Sequence, residues 1–505
     1  MYKHITFFAA LFIGINLNSQ NPWSQRLDKI TLEYSKQSLN EFKDLLSIPN
    51  DAHFLSDIKK NIEWCEKAFQ KRGFSTERIQ TQEAPLLLAS RSHPNSKKTV
   101  LIYLQVDGQP VDNKKWSQKN PYKPTLKENR NGKWEEINWN KLNGKINNDW
   151  RIYARSASDA KGPVVMFLTA MDIINDTNFK PNFNIKVIMD FEEELGSPRL
   201  PKAVLENKEK LASDMLVIFD GPRHVSNKPT LLFGARGISL ITLKVFGPKV
   251  PQHSGHYGNY VPNPALKLSR LLSSMYDNQG KVVIPEWYKG IEISEDVKKQ
   301  LLLVDDNESK MRKELGIAAI DNIGKTYQES IQFPSLSILG LKSAWVGKES
   351  RTIIPDSAIA ELNIRLVKET KGDRMVELLK DFIKEKGFYI IRSEEPSEEE
   401  RKLYQNILKF EARTFYEAFR TEFNSEIGIW LRKAMLKAFG ESPVQIRISG
   451  GSIPISPFVN TLQIPAVIVP TVNKDNNQHS PNENIRLGNY LEGIKTITAI
   501  LTEKL

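Results

Sequence analysis

The chain has 505 residues, 40% of them hydrophobic and 26% charged, an ordinary globular composition that excludes a low-complexity or collagen-like polymer. A single cysteine, Cys65, excludes an intramolecular disulfide framework, and the net charge of +11 comes without zinc-finger spacing, an RNA-binding aromatic motif or a clustered basic arm, so nucleic acid is not an expected partner. One hydrophobic core stops growing at roughly 250–300 residues, so two or more domains are expected.

In chain order, Lys3 and His4 precede a compact apolar run over 5–17 and then Asn18-Ser19-Gln20. A short basic start, an apolar stretch and a small residue suited to cleavage predict an export signal over 1–19, and a secreted or periplasmic mature protein. The run falls short of the roughly 20 residues that span a bilayer. No later segment reads as a span, so no membrane contact is expected after signal removal.

Residues 59–72 have helical spacing, with Cys65 among Ile62, Trp64, Ala68 and Phe69, and stop at Gly73. That setting assigns Cys65 to packing rather than to nucleophilic chemistry. Compact apolar strands are predicted at 100–104, 185–189, 215–219 and 466–469, with helices at 161–174 and 486–503. Short apolar strands separated by helices argue for an α/β domain with a mostly parallel sheet. Residues 235–395 read as an α+β unit inserted into it. A strand at 238–243 and a helix near 264–275 open this unit, and a strand at 357–367 and a helix at 374–385 close it. The acidic stretch 394–403 reads as a linker back, which divides the larger domain into 24–234 and 396–505. The segment 111–150, with Trp116, Trp134, Trp139 and Trp150, reads equally as a shaper of a cleft entrance or as a packed surface flap. Residues 396–420 look like a second insertion without an assigned role.

The informative acids follow strands. Asp107 comes after the 100–106 run, Glu192-Glu193-Glu194 after the 185–191 run, and Asp220 ends 215–219. Ser158-Asp159 stands just before a helix. Any one of these, taken alone, reads first as a helix cap or a solvated loop residue. Together they converge on the carboxyl edge of a parallel sheet, where open α/β folds keep their active sites. Adjacent glutamates repel unless something compensates, and a divalent cation does so with carboxylate and imidazole ligands. His479, in the loop after Val469-Pro470, is a candidate imidazole.

Eight stretches occur in an order that resembles the M20 metallopeptidases, the group of carnosine dipeptidases, acetylornithine deacetylases and carboxypeptidase G, and in particular the carnosine-dipeptidase branch. They are Leu104-Gln105-Val106-Asp107-Gly108-Gln109-Pro110-Val111-Asp112, Arg155-Ser156-Ala157-Ser158-Asp159-Ala160-Lys161-Gly162, Glu193-Glu194-Leu195-Gly196-Ser197, Phe219-Asp220, His253-Ser254-Gly255, Ile364-Arg365-Leu366-Val367, Gly450-Gly451-Ser452-Ile453-Pro454 and His479-Ser480. The resemblance implies that Asp159 bridges two metal ions. Glu194 and His479 would complete one metal, and Asp220 with residue 105 the other. It implies that Glu193 is the general base on a metal-activated water and that Asp107 orients the ligand at 105. His253 would stabilise the oxyanion in a neighbouring subunit, Arg365 would hold the substrate carboxylate, and Gly451 and Ser452 would line the pocket. The implied partner is a small peptide or N-acyl amino acid, and the implied assembly is a homodimer built through the inserted lid/dimerisation domain.

The chain departs from the family at Gln105, where the family has histidine. A neutral amide oxygen is a weaker and harder ligand than imidazole. The half-site of Gln105, Asp159 and Asp220 becomes all oxygen, with zinc as the expected cation of the centre, manganese the alternative, and one or two ions per chain. Leu104, Ala160 and Gln252 also differ from the usual pattern. The expected function is metal-dependent hydrolysis of an amide bond in a dipeptide or N-acyl amino acid. The alternative is a catalytically impaired relative that binds such molecules.

Overall fold

The computed structural model describes residues 22–505, so the export segment predicted over 1–19 lies outside the described residues. The larger sheet has eight strands in the order Ser75–Ile79, Leu86–Arg91, Asn184–Asp190, Thr99–Gln105, Met215–Ile218, Ala466–Ile468, Thr230–Leu232, Val444–Ile446. The four strands from Asn184–Asp190 to Ala466–Ile468 run parallel to one another, and antiparallel pairings appear only towards the sides, which makes the whole sheet mixed. The central strands are mostly apolar because both faces are covered. In Thr99–Gln105, Val100, Ile102 and Leu104 join one core, while Leu101 and Tyr103 join the other. Met215 and Val217, against Leu216 and Ile218, divide in the same way, the period of two that a strand imposes.

The first of these cores is covered by the helices Pro22–Leu46, Lys161–Asp176, Glu426–Phe439 and Leu487–Thr502, and the second by Leu200–Glu206 and Ser456–Leu462. Leu55–Lys71 buries Ile58, Ile62, Cys65 and Phe69 at helical spacing and ends before Gly73, whose φ of 80° is freely open to glycine. Cys65 is fully buried, and burial pushes its thiol up to about 12. No helix among the described residues is long and apolar enough to cross a membrane.

The smaller domain carries a five-stranded sheet in the order Ser335–Lys342, Ser357–Leu366, Gly237–Phe246, Ile407–Tyr416, Tyr389–Ile391. The helix Gly372–Glu385 lays Met375, Leu379, Phe382 and Ile383 on this sheet. Here the structure corrects the boundary expected at 395/396. Ile407–Tyr416 pairs along its length with Gly237–Phe246, so the chain is still inside the smaller domain at Tyr416. The acidic stretch belongs to that domain too: Glu394 pairs with Lys409 and Glu395 with Lys244, each at 2.6 Å. The two connections between domains run side by side, with Gly234 opposite Arg420 and Ala235 opposite Phe419.

The segment 111–150, read as a shaper of a cleft entrance or a packed surface flap, packs Leu126, Ile137, Leu142, Ile146 and Trp150 into the core of the larger domain. Thr125–Arg130 and Lys133–Glu136 form a hairpin that pairs through Arg151–Tyr153 to Asn484–Arg486. This second antiparallel sheet ties the chain just before Asp159 to the chain just after His479.

Candidate active site

Four stretches bring the predicted side chains to the carboxyl edge of the parallel strands. Gln105 is the last residue of its strand, and its side chain is buried. Its Nε2 donates to Asp159 Oδ1 at 2.9 Å. The other oxygen of Asp159, Oδ2, lies 2.9 Å from His479 Nε2, which is also 3.2 Å from Glu194 Oε2. Gln109 Nε2 donates to the same Glu194 oxygen at 2.8 Å. Gly108 lets this first motif close on the second, since a Cβ there would collide with Ser156 Oγ.

The turn Glu193–Leu195 is held by Asp107. Its two carboxylate oxygens accept the backbone N–H groups of Glu193 at 3.1 Å and Glu194 at 2.9 Å. Asp107 makes no hydrogen bond to Gln105, so its contacts orient the glutamate turn rather than the ligand at 105. The turn ends at Gly196, in a left-handed conformation with φ of 82°. A Cβ at Gly196 would strike Tyr416 Oη, which instead donates to the Gly196 carbonyl at 2.8 Å and links the smaller domain to this motif. Of the three adjacent glutamates, Glu192 turns away to Arg199 at 2.6 Å, which leaves two in the site.

Glu483 is a positioning residue that the sequence reading did not single out. It is buried, 2.8 Å from the buried Arg155 guanidinium, and accepts the N–H groups of Ser156, Ser158 and Asp159 at 3.0 Å each. Its only sequence signal is nearness to His479; its partner Arg155 is 328 residues away. On the neighbouring strand, Asp190 has a similar role, accepting from Tyr103 Oη at 3.1 Å and Ser197 Oγ at 2.6 Å.

The electrostatics are those of crowded, buried acids with His479 as the neighbouring cation. Burial, then repulsion from Asp220, Asp159 and Glu194, raises Glu193 well above the usual carboxylate range. Burial and the nearby Asp159 push Glu194 up to about 8 and Asp220 up to about 7. The hydrogen bond to Asp159, reinforced by Glu194, raises His479 to about 9. Protons therefore compensate what a cation would otherwise compensate.

The residues present fit a divalent cation. Asp159, Glu194 and His479 each offer a ligand atom, all within 4.8 Å of one another. The carbonyl oxygen of Gln105 is buried without a hydrogen-bond partner, beside Asp159. An orphaned acceptor is costly in a protein interior and is a natural donor to a metal.

The substrate-side residues are partly brought together. Arg365, on Ser357–Leu366 of the smaller domain, donates to Ser452 Oγ at 2.9 Å across the domain junction. Gly451 is exposed, and its carbonyl accepts the Arg236 N–H at 3.2 Å. His253 is exposed at the start of Ser254–Tyr257 and accepts the Gly255 N–H on Nδ1 at 3.0 Å. Among the described residues no hydrogen bond or ion pair connects it to the carboxylate cluster.

Known proteins resemble the chain over nearly its whole length. A Cys-Gly metallodipeptidase of Schizosaccharomyces pombe is 26% identical over 456 residues, 86% of either chain. The Beta-Ala-His dipeptidase of Mus musculus is 26% identical over 441 residues, 83% of this chain and 80% of its own. The crystal structure of an M20 family metallo-carboxypeptidase from Sulfolobus solfataricus matches with a TM-score of 0.74 at 26% identity, covering 92% of this chain and 98% of that one. Residues 101–503 match the profile of peptidase family M20/M25/M40, a span that includes every motif placed above, and the chain belongs to that family.

Proposed function

We propose that the protein is a metal-dependent dipeptidase that cleaves the amide bond of a dipeptide or N-acyl amino acid. The observation that carries this reading is the Asp159 carboxylate, held between Gln105 on one oxygen and His479 on the other, with Glu194 and Glu193 alongside. Dipeptidase names among the relatives support the substrate class.

In this reading Asp159, Glu194 and His479 would hold one cation, and Asp220 and Gln105, beside Asp159, would hold a second. Bound divalent ions supply polarisation of the scissile carbonyl and a more acidic attacking water. Glu193 would take the proton from the attacking water and return it to the leaving amine. Arg365 binds the substrate carboxylate with two donors, and Ser452 fixes the guanidinium. His253 donates to the tetrahedral oxyanion from a second subunit. Zinc suits the half-site that contains His479, and manganese the all-oxygen half-site.

The edge strand Ser335–Lys342 pairs on one side only, with Ser357–Leu366, and exposes Ile338, Leu339 and Leu341. An unpaired apolar edge supports a homodimer through the smaller domain. The basic and apolar start of the chain supports export to a secreted or periplasmic location.

The test is metal analysis of protein purified without chelators, followed by a hydrolysis screen of the same sample over dipeptides and N-acyl amino acids. Bound zinc or manganese with turnover is expected. Protein that takes up neither ion after reconstitution and cleaves nothing would replace this reading with the alternative, a relative that binds such molecules without hydrolysing them. Light scattering tests the dimer, and the N-terminal residue of the exported protein tests the signal.

A further inference from the structure

The smaller domain contains a cavity of about 460 Å³ that none of the residues assigned to catalysis, metal or substrate lines. The volume falls in the range of small-molecule sites, about 300–1,000 Å³. Its walls are apolar, with Tyr276, Val282, Met311, Leu315, Ile317 and Ile320 among them. Leu315, Ile317 and Ile320 are 64%, 43% and 46% exposed, so three large apolar side chains stand in water around it. Such a cluster marks a surface built to be covered.

One cation stands out in the wall. Arg236 is buried, 8% exposed, and no carboxylate lies within ion-pair distance of it among the described residues. Its Nη2 donates to the Phe333 carbonyl at 2.8 Å and Ser335 Oγ at 3.1 Å, both neutral acceptors, and its Nε has no partner. Buried guanidinium groups are ordinarily paired with an anion, because burying an isolated charge is costly. Burial, and then the neighbouring Arg365, lowers its proton affinity to about 10, the direction expected for a cation that lacks a counter-ion. Of the two acids in the same wall, Glu308 accepts the Tyr327 N–H at 2.8 Å and Asp321 is exposed to solvent.

We propose that this cavity binds a small amphipathic carboxylate, with its anionic head on Arg236 and its apolar body along Met311 and Ile320. Two sources share that chemistry: an apolar amino acid, such as an amide hydrolase releases, and a free medium-chain fatty acid. The Arg236 backbone N–H bonds to the carbonyls of Ser449 and Gly451, and its Nη2 lies 3.5 Å from the Arg365 carbonyl. A ligand on Arg236 would therefore sit one residue away from the groups assigned to the substrate carboxylate. The site itself stands whether or not the chain hydrolyses peptides.

The test is calorimetric titration of the full chain with octanoate, with L-phenylalanine and with octanol as the uncharged control. Saturable binding of at least one acid, and weaker binding of octanol, is expected. Octanoate alone points to a fatty acid, and phenylalanine alone to an amino acid. Arg236→Met should weaken the acid by at least about tenfold, the loss of one charge-assisted hydrogen bond. Ile320→Trp, at a half-exposed position that tolerates bulk, should fill the cavity and weaken binding as well. If Arg236→Met fails to fold, Ile320→Trp and the octanol comparison decide. No binding of either acid at millimolar concentration, octanol binding as tightly as octanoate, or binding indifferent to Ile320→Trp would overturn the assignment.

Discussion

Gln105 donates one hydrogen bond to Asp159 at 2.9 Å and leaves its own carbonyl oxygen buried without a partner. In the proposed site this amide stands where the sequence motif implies a histidine ligand. Replacing it tests how much the centre depends on that oxygen. Gln105→His should tighten zinc by about 10–100-fold, the scale seen when groups around a metal are altered, and raise turnover with zinc. Elemental analysis after dialysis against a weak chelator, with the rate measured on the same sample, checks this. An unchanged stoichiometry and rate would remove Gln105 from the ligand set.

The crowded acids make the metal-free protein sensitive to pH. Glu194 at about 8 and Asp220 at about 7 bind protons more tightly folded than unfolded. The stability from those protons is complete below the ordinary carboxylate values and is lost as pH rises through 7 and 8. His479, raised to about 9, adds a loss in the same direction, from its ordinary value near 6.5 upward. Cations need the deprotonated ligands, so their binding strengthens over the same span. The difference in Tm between metal-loaded and chelated protein should therefore widen by several degrees from pH 5.5 to 8.5. A difference that stays constant or narrows would mean that these groups do not hold the metal.

Glu483 should be intolerant of change although it is neither a proposed ligand nor the proposed base. Glu483→Gln leaves the buried Arg155 without its counter-charge and weakens the acceptor of three backbone N–H groups that shape the Asp159 turn. Breaking a buried pair from one side costs about 3–5 kcal/mol. Denaturant unfolding should show that loss, and metal analysis a reduced content. A variant as stable as the parent, with full metal, would show that the turn holds itself.

His253 offers a cleaner separation of chemistry from folding, because it is exposed and removed from the carboxylate cluster. His253→Ala should lower kcat by about 10²–10³, the usual cost of an oxyanion donor, while metal content and Tm stay as they are. Mixing His253→Ala with Glu193→Gln subunits should restore some of the activity if the histidine acts across a dimer. Equal inactivity of the mixture and of each parent would place the donor elsewhere.

Much of the fold and of the site was legible in the residues themselves. The runs at 100–104, 185–189 and 215–219 read as strands covered on both faces, because they are short and apolar at every position but Lys186. The acids that follow them had to converge once the strands ran parallel, and Gln105, Asp159, Glu194 and His479 do meet. These were local signals: a periodicity, a strand end, a motif of fixed order. The tertiary structure alone decided the rest, because those choices rest on partners far away in the chain. Ile407–Tyr416 carries Lys409, Glu411 and Arg413 and reads as a polar insertion, yet it is a strand because Gly237–Phe246 lies beside it to accept its hydrogen bonds. Glu192 left the cluster because Arg199 was placed to pair with it, and Asp107 turned to the Glu193 and Glu194 N–H groups because the next strand ended there. Glu483 looks like any loop glutamate until Arg155 and the Asp159 turn enclose it. A sequence specifies which side chains are available to an edge of the sheet; which of them are buried together, and so what each must pair with, is set only when distant segments close over them.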